Sequence, residues 1–118
     1  YILMYPINSE RLFDFMVNGK QRAYLRKLAN GIEPVFQIGK GGITDILTEQ
    51  LSLALDAREL IKVHILETAL LDTKETCNLL AERLGAVPVQ AIGSKFVLYR
   101  QSSKEKNRKI ELPRVNKK

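Results

Sequence analysis

The sequence predicts an α/β fold: a two-layer α-β-α-β-α-β-β sandwich built on a four-stranded mixed sheet. Three observations lead there. Apolar residues at helical spacing alternate along the chain with short runs rich in β-branched and aromatic residues. Two β-α-β units favour parallel strands joined by right-handed crossovers, and the strand that ends the second is separated from one last run only by Gly93-Ser94, the length of an antiparallel hairpin turn. Finally, 118 residues with 45% hydrophobic and 27% charged side chains suit one globular domain with one modest core.

Each element has its own signals. Residues 1–18, "YILMYPINSERLFDFMVN", differ in composition from the rest of the chain, and Met16 stands just before "VNGKQRAYLRKLAN". They read as an extension of vector origin or an atypical N-terminal extension, outside the fold. A first helix is predicted from Lys20 to Asn30, with Ala23, Leu25, Leu28 and Ala29 for burial and Asn30-Gly31 as its stop. Glu33 to Ile38, entered through Pro34, reads as the first strand. A second helix is predicted from Thr44 to Ala57, with Thr44 as N-cap, Asp45 at the positive end of the dipole, and Ile43, Ile46, Leu47 and Leu51 at helical spacing.

Alternation in "ELIKVHIL" (59–66) predicts a half-buried strand with Ile61, Val63 and Ile65 on one side and Leu60, Lys62, His64 and Leu66 on the other. The polar positions Lys62 and His64 suggest a sheet with helices on one face and the other face open. Asp72-Thr73-Lys74-Glu75 opens a third helix that stops at Gly85, and "VPVQAI" and "KFVLYR" form the closing hairpin. From Gln101 the chain is polar and lysine-rich, which predicts an unpacked basic tail over 102–118.

Net charge is +6, and its position matters more than its total. Residues 19–30 carry +4 through Lys20, Arg22, Arg26 and Lys27, and residues 101–118 carry +5, against −1 over 1–18 and −2 over 31–100. Two basic blocks flanking a nearly neutral body predict a polyanionic partner, nucleic acid or an anionic surface; a solvated helix and a frayed tail are the bland alternative. No apolar run approaches the roughly 20 residues of a membrane helix, and the chain opening lacks the basic lead-in and cleavage site of a signal peptide. A single cysteine, Cys77, excludes an internal disulfide and favours a reducing interior, so a cytoplasmic location is expected.

Enzyme chemistry finds little footing. Cys77 falls within the third helix beside Leu79 and Leu80 and reads as core; His64 is the single histidine and lies on a strand. One His and one Cys cannot supply the usual nitrogen and sulfur ligands of zinc. No cofactor, catalytic residue, metal or small-molecule substrate is expected.

The turn "QIGKGGITDIL" (37–47) is the most informative stretch. It has the wrong spacing for a P-loop. As a dinucleotide-binding GxGxxG it has Thr44 where the third glycine belongs, and Glu59, twenty residues on, precedes the second strand instead of ending it. The remaining reading is a GxxG loop, Gly39-Lys40-Gly41-Gly42, whose backbone N–H groups and lysine hold the sugar–phosphate chain of RNA at a helix N-terminus. A tight turn with no ligand is the plain alternative, and GxxG alone does not decide between them.

In combination the residues are more specific. The basic helix "KQRAYLRKLANGIE", the strand and loop "PVFQIGKGGIT", "RELIKV" and "IGSKFVLYR" resemble, in that order, the YhbY-like family, the stand-alone form of the CRM (chloroplast RNA splicing and ribosome maturation) domain, over about residues 19–113. The resemblance implies a CRM domain at 19–101 and a fold like the C-terminal domain of translation initiation factor three, which is KH-like. It also implies RNA as partner, contacted mainly through the GxxG loop, and for a prokaryotic stand-alone member a role on precursors of the large ribosomal subunit. A KH domain places its GxxG between two helices and this chain between strand and helix, so details of KH base readout do not transfer.

The expected function is therefore a non-enzymatic RNA-binding protein of ribosome assembly, contacting ribosomal RNA through Gly39, Lys40, Gly41 and Gly42. Lys20, Arg22, Arg26, Lys27, Lys95 and Arg100 are expected in support, with the tail adding affinity. The alternative is a protein–protein module docking on ribosomal proteins or assembly factors.

Overall fold

The structure is a computed structural model that describes residues 19–110; the predicted extension at 1–18 and residues 111–118 lie outside it. Helix α1 (Gly19–Ala29) is followed by strand β1 (Phe36–Ile38), helix α2 (Asp45–Arg58), strand β2 (Leu60–Ile65), helix α3 (Thr73–Leu84) and the hairpin of β3 (Val87–Ile92) and β4 (Lys95–Tyr99). Local chemistry sets the helix starts. Thr44 Oγ1 accepts from the Leu47 N–H at 3.0 Å and Asp72 Oδ2 from the Glu75 N–H at 2.9 Å, each cap contributing about 1 kcal/mol. In α2 Leu51 and Leu55 are buried and half-buried Leu47 packs against the same core. Ile46 and Leu53, seven residues apart on another line of the helix, are 68% and 65% exposed, so Ile46 does not join the core as its spacing suggests.

The sheet order is β1-β2-β4-β3. Strands β1 and β2 pair in parallel, and β4 runs antiparallel to both β2 and β3. The second β-α-β unit thus yields two strands of the same direction that do not touch, because β4 inserts between them. Burial explains the choice. Phe96, Val97, Leu98 and Tyr99 are all buried, which requires cover on both faces of a central strand. Strand β3 carries Pro88, half-exposed Gln90 and a register shift between them, features of an edge.

Two apolar clusters lie on opposite faces of this sheet. Ile61, Val63, Ile65, Phe96 and Leu98 pack with Leu51 and Leu55 of α2 and Cys77, Leu80 and Leu84 of α3. On the reverse face Leu60, Val97, Tyr99, Val87 and Val89 pack with Leu25 and Ala29 of α1. The sequence suggested that this reverse face is open. It is open only in part: α1 covers the half around Leu60 and Tyr99, and the half carrying Gln37, His64 and Lys95 remains exposed or half-exposed.

The segment after β4 also departs from expectation. Residues 101–110 are docked, with Ser102 fully buried and Ile110 packed on the reverse-face cluster. Its anchor is Glu59, a buried carboxylate between α2 and β2 with a left-handed backbone (φ 69°). Glu59 Oε2 accepts from the Ser102 N–H at 2.8 Å, and Oε1 accepts from the N–H groups of Lys109 at 2.9 Å and Ile110 at 3.0 Å. Asp56 adds to this clamp through the Ser103 N–H at 3.0 Å and hydroxyl at 3.1 Å. The lysines suggested a tail; backbone N–H groups delivered to two carboxylates make the first half of it part of the domain.

Candidate nucleic-acid interface

Strand directions decide which residues share an end of the sheet. The C-terminal ends of β1, β2 and β3 and the start of β4 all lie at one end. There Gln37 pairs with His64, and His64 with Lys95, across one face. The Leu66 N–H donates to Ile38 O at 2.8 Å and the Ile65 N–H to Ser94 O at 2.7 Å, tying the exits of β1 and β2 to the hairpin turn. The glycine loop after β1 and Lys95 at the head of β4 are thus about two strand spacings apart, roughly 10 Å.

The loop itself is a four-residue turn closed by the Gly42 N–H donating to Gly39 O at 2.9 Å, with exposed Lys40 and Gly41 at its tip. Gly42 has φ 71°, so the fold needs glycine there to swing the chain into Thr44 and α2. Gly41 is different. Its φ is not in the left-handed region, and a Cβ built on it meets no atom within 4 Å. Nothing inside the protein requires glycine at 41; the bare backbone faces outward. One predicted contribution is weaker than expected, because Asp45 in the first turn of α2 already answers the dipole of the helix N-terminus behind the loop.

The other predicted contacts separate. Lys40 and Lys95 are exposed, with no ion pair seen for either among the described residues. Lys20, Arg26 and Lys27 are exposed on α1, and Arg22 is half-buried with an interaction of its own. The buried side of α1, Leu25 and Ala29, packs toward Leu60, Tyr99 and Val87, so the helix block sits on the reverse face and leans away from the loop end. Arg100 lies at the far end of β4, five residues or roughly 17 Å from Lys95. Its guanidinium donates to Leu84 O at 2.9 Å, Ser52 O at 2.7 Å and Ser52 Oγ at 3.1 Å, and pairs with Asp56 Oδ1 at 3.5 Å. Arg100, expected among the RNA contacts, is thus held by three protein oxygens and a carboxylate, and it locks α2 to the end of α3.

Titration fits this division. Asp56 is held below its ordinary value of 3.8, chiefly by the Ser103 N–H on its carboxylate, against a contrary pull from burial, with help from the Ser103 hydroxyl and Arg100. Burial pushes the Cys77 thiol up to about 12, leaving it a neutral core group. Among the described residues no three His, Cys, Asp or Glu side chains gather as a metal site.

One feature near the loop lies outside the sequence motifs described above. The short 3-10 turn Glu67–Ala69 between β2 and α3 ends at Leu70, which is left-handed (φ 55°) and 90% exposed. Together with His64 and the hairpin turn at Gly93-Ser94 it frames a cleft of about 520 Å³. Its wall touches the loop, since a Cβ on Gly39 would stand 3.5 Å from Leu66 Cδ1. The doublet Leu70-Leu71 was the available hint: two leucines between strand and helix, of which only one can turn inward.

A family model for the CRS1 / YhbY (CRM) domain matches residues 17–100. The Bacillus subtilis protein named "Probable RNA-binding protein YqeI" is 42% identical over 98 residues, 83% of this chain and 100% of that protein. A Haemophilus influenzae protein named "RNA-binding protein" is 38% identical over 96 residues, 80% of this chain and 93% of that one. The solution structure of SAV1595 from Staphylococcus aureus superposes with a TM-score of 0.65 at 45% identity, covering 83% of this chain and all of that one.

Proposed function

The chain belongs to the CRS1 / YhbY (CRM) domain family, and from that premise we propose that it is an RNA-binding protein without enzymatic activity. The relatives' names supply the partner class. The observation that carries the site is Gly41: a glycine that the fold does not require, at an exposed tip beside Lys40, where a bare backbone admits a phosphate. The loop Gly39–Gly42 holds the RNA backbone, Lys40 and Lys95 neutralise phosphates at the same end of the sheet, and Lys20, Arg26 and Lys27 of α1 extend the basic surface. Binding of this kind positions RNA by shape and backbone more than by base. The target is ribosomal RNA in precursors of the large subunit, in the cytoplasm, a reading that rests on the likeness to stand-alone family members.

Gly41→Ala and Lys40→Glu test the site. Gly41→Ala is sterically free in the folded protein, so its melting temperature stays at or slightly above wild type while RNA affinity falls. Lys40→Glu lowers affinity by about tenfold or more, because a charge is both lost and reversed beside phosphate. Wild-type affinity in both variants rejects the loop. Exposed Leu70 (90%) and Ile92 (67%) at this end favour a second reading, docking on a ribosomal protein or assembly factor. The salt slope separates the two, since counterion release makes the RNA contact steeply salt-dependent. Crosslinking in cells, with sequencing of the attached RNA, identifies the target.

A further inference from the structure

We propose that the cleft beside the glycine loop is a nucleobase subsite, and that Glu67 makes it selective for guanine; the inference rests on the RNA-binding reading of the loop. At about 520 Å³ the cleft falls within the range of small-ligand sites, roughly 300–1,000 Å³. Its walls are mixed: Leu66, Leu70 and Leu71 offer apolar surface, and His64, Glu67 and Ser94 offer polar groups. That mixture suits a nucleobase, which needs a flat apolar contact for its ring and hydrogen bonds at its edge. The Thr73 hydroxyl donates to Gly93 O at 2.7 Å, fastening the start of α3 to the hairpin turn so that the two sides of the cleft are held at a set distance.

Position favours one unstacked nucleotide of the RNA held at the loop. Leu66 is the shared wall, 3.5 Å from where a Cβ on Gly39 would sit, and the Leu66 N–H is bonded to Ile38 O. Lys40 belongs to the loop that adjoins Leu66, and Lys95 directly follows Ser94 of the cleft wall, so a cation stands near each side of a base seated there. Leu70 gives independent support. A non-glycine residue held left-handed with its side chain 90% exposed gains nothing for the core, yet it lines the cleft, where a base can stack on it.

Base choice comes from the carboxylate. Ionised Glu67 only accepts hydrogen bonds. Guanine offers adjacent N1–H and N2–H donors along one edge, matching two carboxylate oxygens. Uracil, cytosine and adenine each set an acceptor beside their donor there, which repels the carboxylate.

The test uses single-stranded uridine oligonucleotides of about eight nucleotides, with one central position varied among uridine, adenosine, cytidine, guanosine and inosine. Wild-type protein binds the guanosine oligonucleotide about tenfold tighter than all-uridine, and inosine, lacking the 2-amino group, loses most of that gain. Glu67→Gln narrows the guanosine preference. Leu70→Gly, which relieves the left-handed backbone and so keeps the fold, lowers affinity for the guanosine oligonucleotide to near that for all-uridine. Lys40→Ala weakens all five oligonucleotides alike and keeps their ratios. Equal wild-type affinity for the five, with Lys40→Ala still weakening each, overturns the subsite and leaves the loop standing. Unchanged binding in Lys40→Ala overturns the loop reading on which the subsite rests. Guanosine preference that survives both Glu67→Gln and Leu70→Gly places the reader elsewhere, overturns the subsite, and leaves Leu70 as a protein-docking residue.

Discussion

At the end of the sheet where β4 finishes, the side chains of Glu59, Asp56 and Arg100 are bound to backbone, and Arg100 also pairs with Asp56. At the end where β4 begins, Lys40 and Lys95 are exposed, with no ion pair seen among the described residues. The same strand thus joins an end whose charges hold the fold to an end whose charges are available to a partner. Residue type does not distinguish them, since Arg100 and Lys95 are both cations on one short strand. What distinguishes them is whether carbonyls and carboxylates from α2 and α3 converge on the position.

The contrast is broken most severely at Glu59. Glu59→Ala leaves three buried or half-buried backbone N–H groups without an acceptor and frees residues 101–110, which costs about 3 kcal/mol or more. For a domain of this size that lowers the melting temperature by roughly 12 °C or more. Arg100→Met comes next: loss of its bonds to Leu84 O, Ser52 O and Asp56 costs about 2 kcal/mol in a urea titration. Neither change alters RNA affinity per folded molecule. A drop in the affinity of folded Arg100→Met returns Arg100 to the interface.

Lys95→Gln is the converse. Its stability stays within about 0.5 kcal/mol of wild type. Its RNA affinity falls by about threefold to fivefold, and the slope of log affinity against log salt flattens by about one. The smallest expected effect is on acidity. Because the Asp56 carboxyl is held below 3.8 in the folded protein, its contribution is complete at pH values well above 3.8 and is lost as pH falls below it. Following the Ser103 amide by NMR from pH 6 to pH 3 shows release in that acid range. Release above pH 5 assigns the clamp to another group.

Much of the fold is legible in the sequence because much of it is local. Thr44 and Asp72 cap helices through atoms three residues away, and Ile61, Val63 and Ile65 declare a buried face by alternation. The features that are not legible are set over distance. Arg100 meets Ser52 48 residues back, and Glu59 meets Ile110 51 residues on. Nothing in the neighbourhood of either residue records such a partner, so the sequence points Arg100 toward RNA and shows Glu59 only as an acidic residue at nucleotide-binding spacing. Placement of α1 on the reverse face is hidden for the same reason, although the helical spacing does mark Leu25 and Ala29 for burial. At the candidate interface the loop is visible as a motif. The cleft is not, since it exists only where the β2–α3 connection passes the hairpin turn.

The position of β4 bears on how the molecule is made. It is the last strand among the described residues and an inner strand of the sheet, bordered by β2 and β3. Without β4 the sheet order leaves one pair of neighbouring strands, β1 with β2, and a β3 with no partner. Both sheet cores lack their middle until Phe96, Val97 and Leu98 arrive, and Glu59 lacks its backbone donors until residues 102–110 are made. Such topology ties cooperative folding to contacts of long sequence separation, slows it relative to a helical bundle, and exposes β2 as a pairing edge in the interval. Strand β4 is thus the keystone of the sheet, the strand through which β3 is joined to β1 and β2.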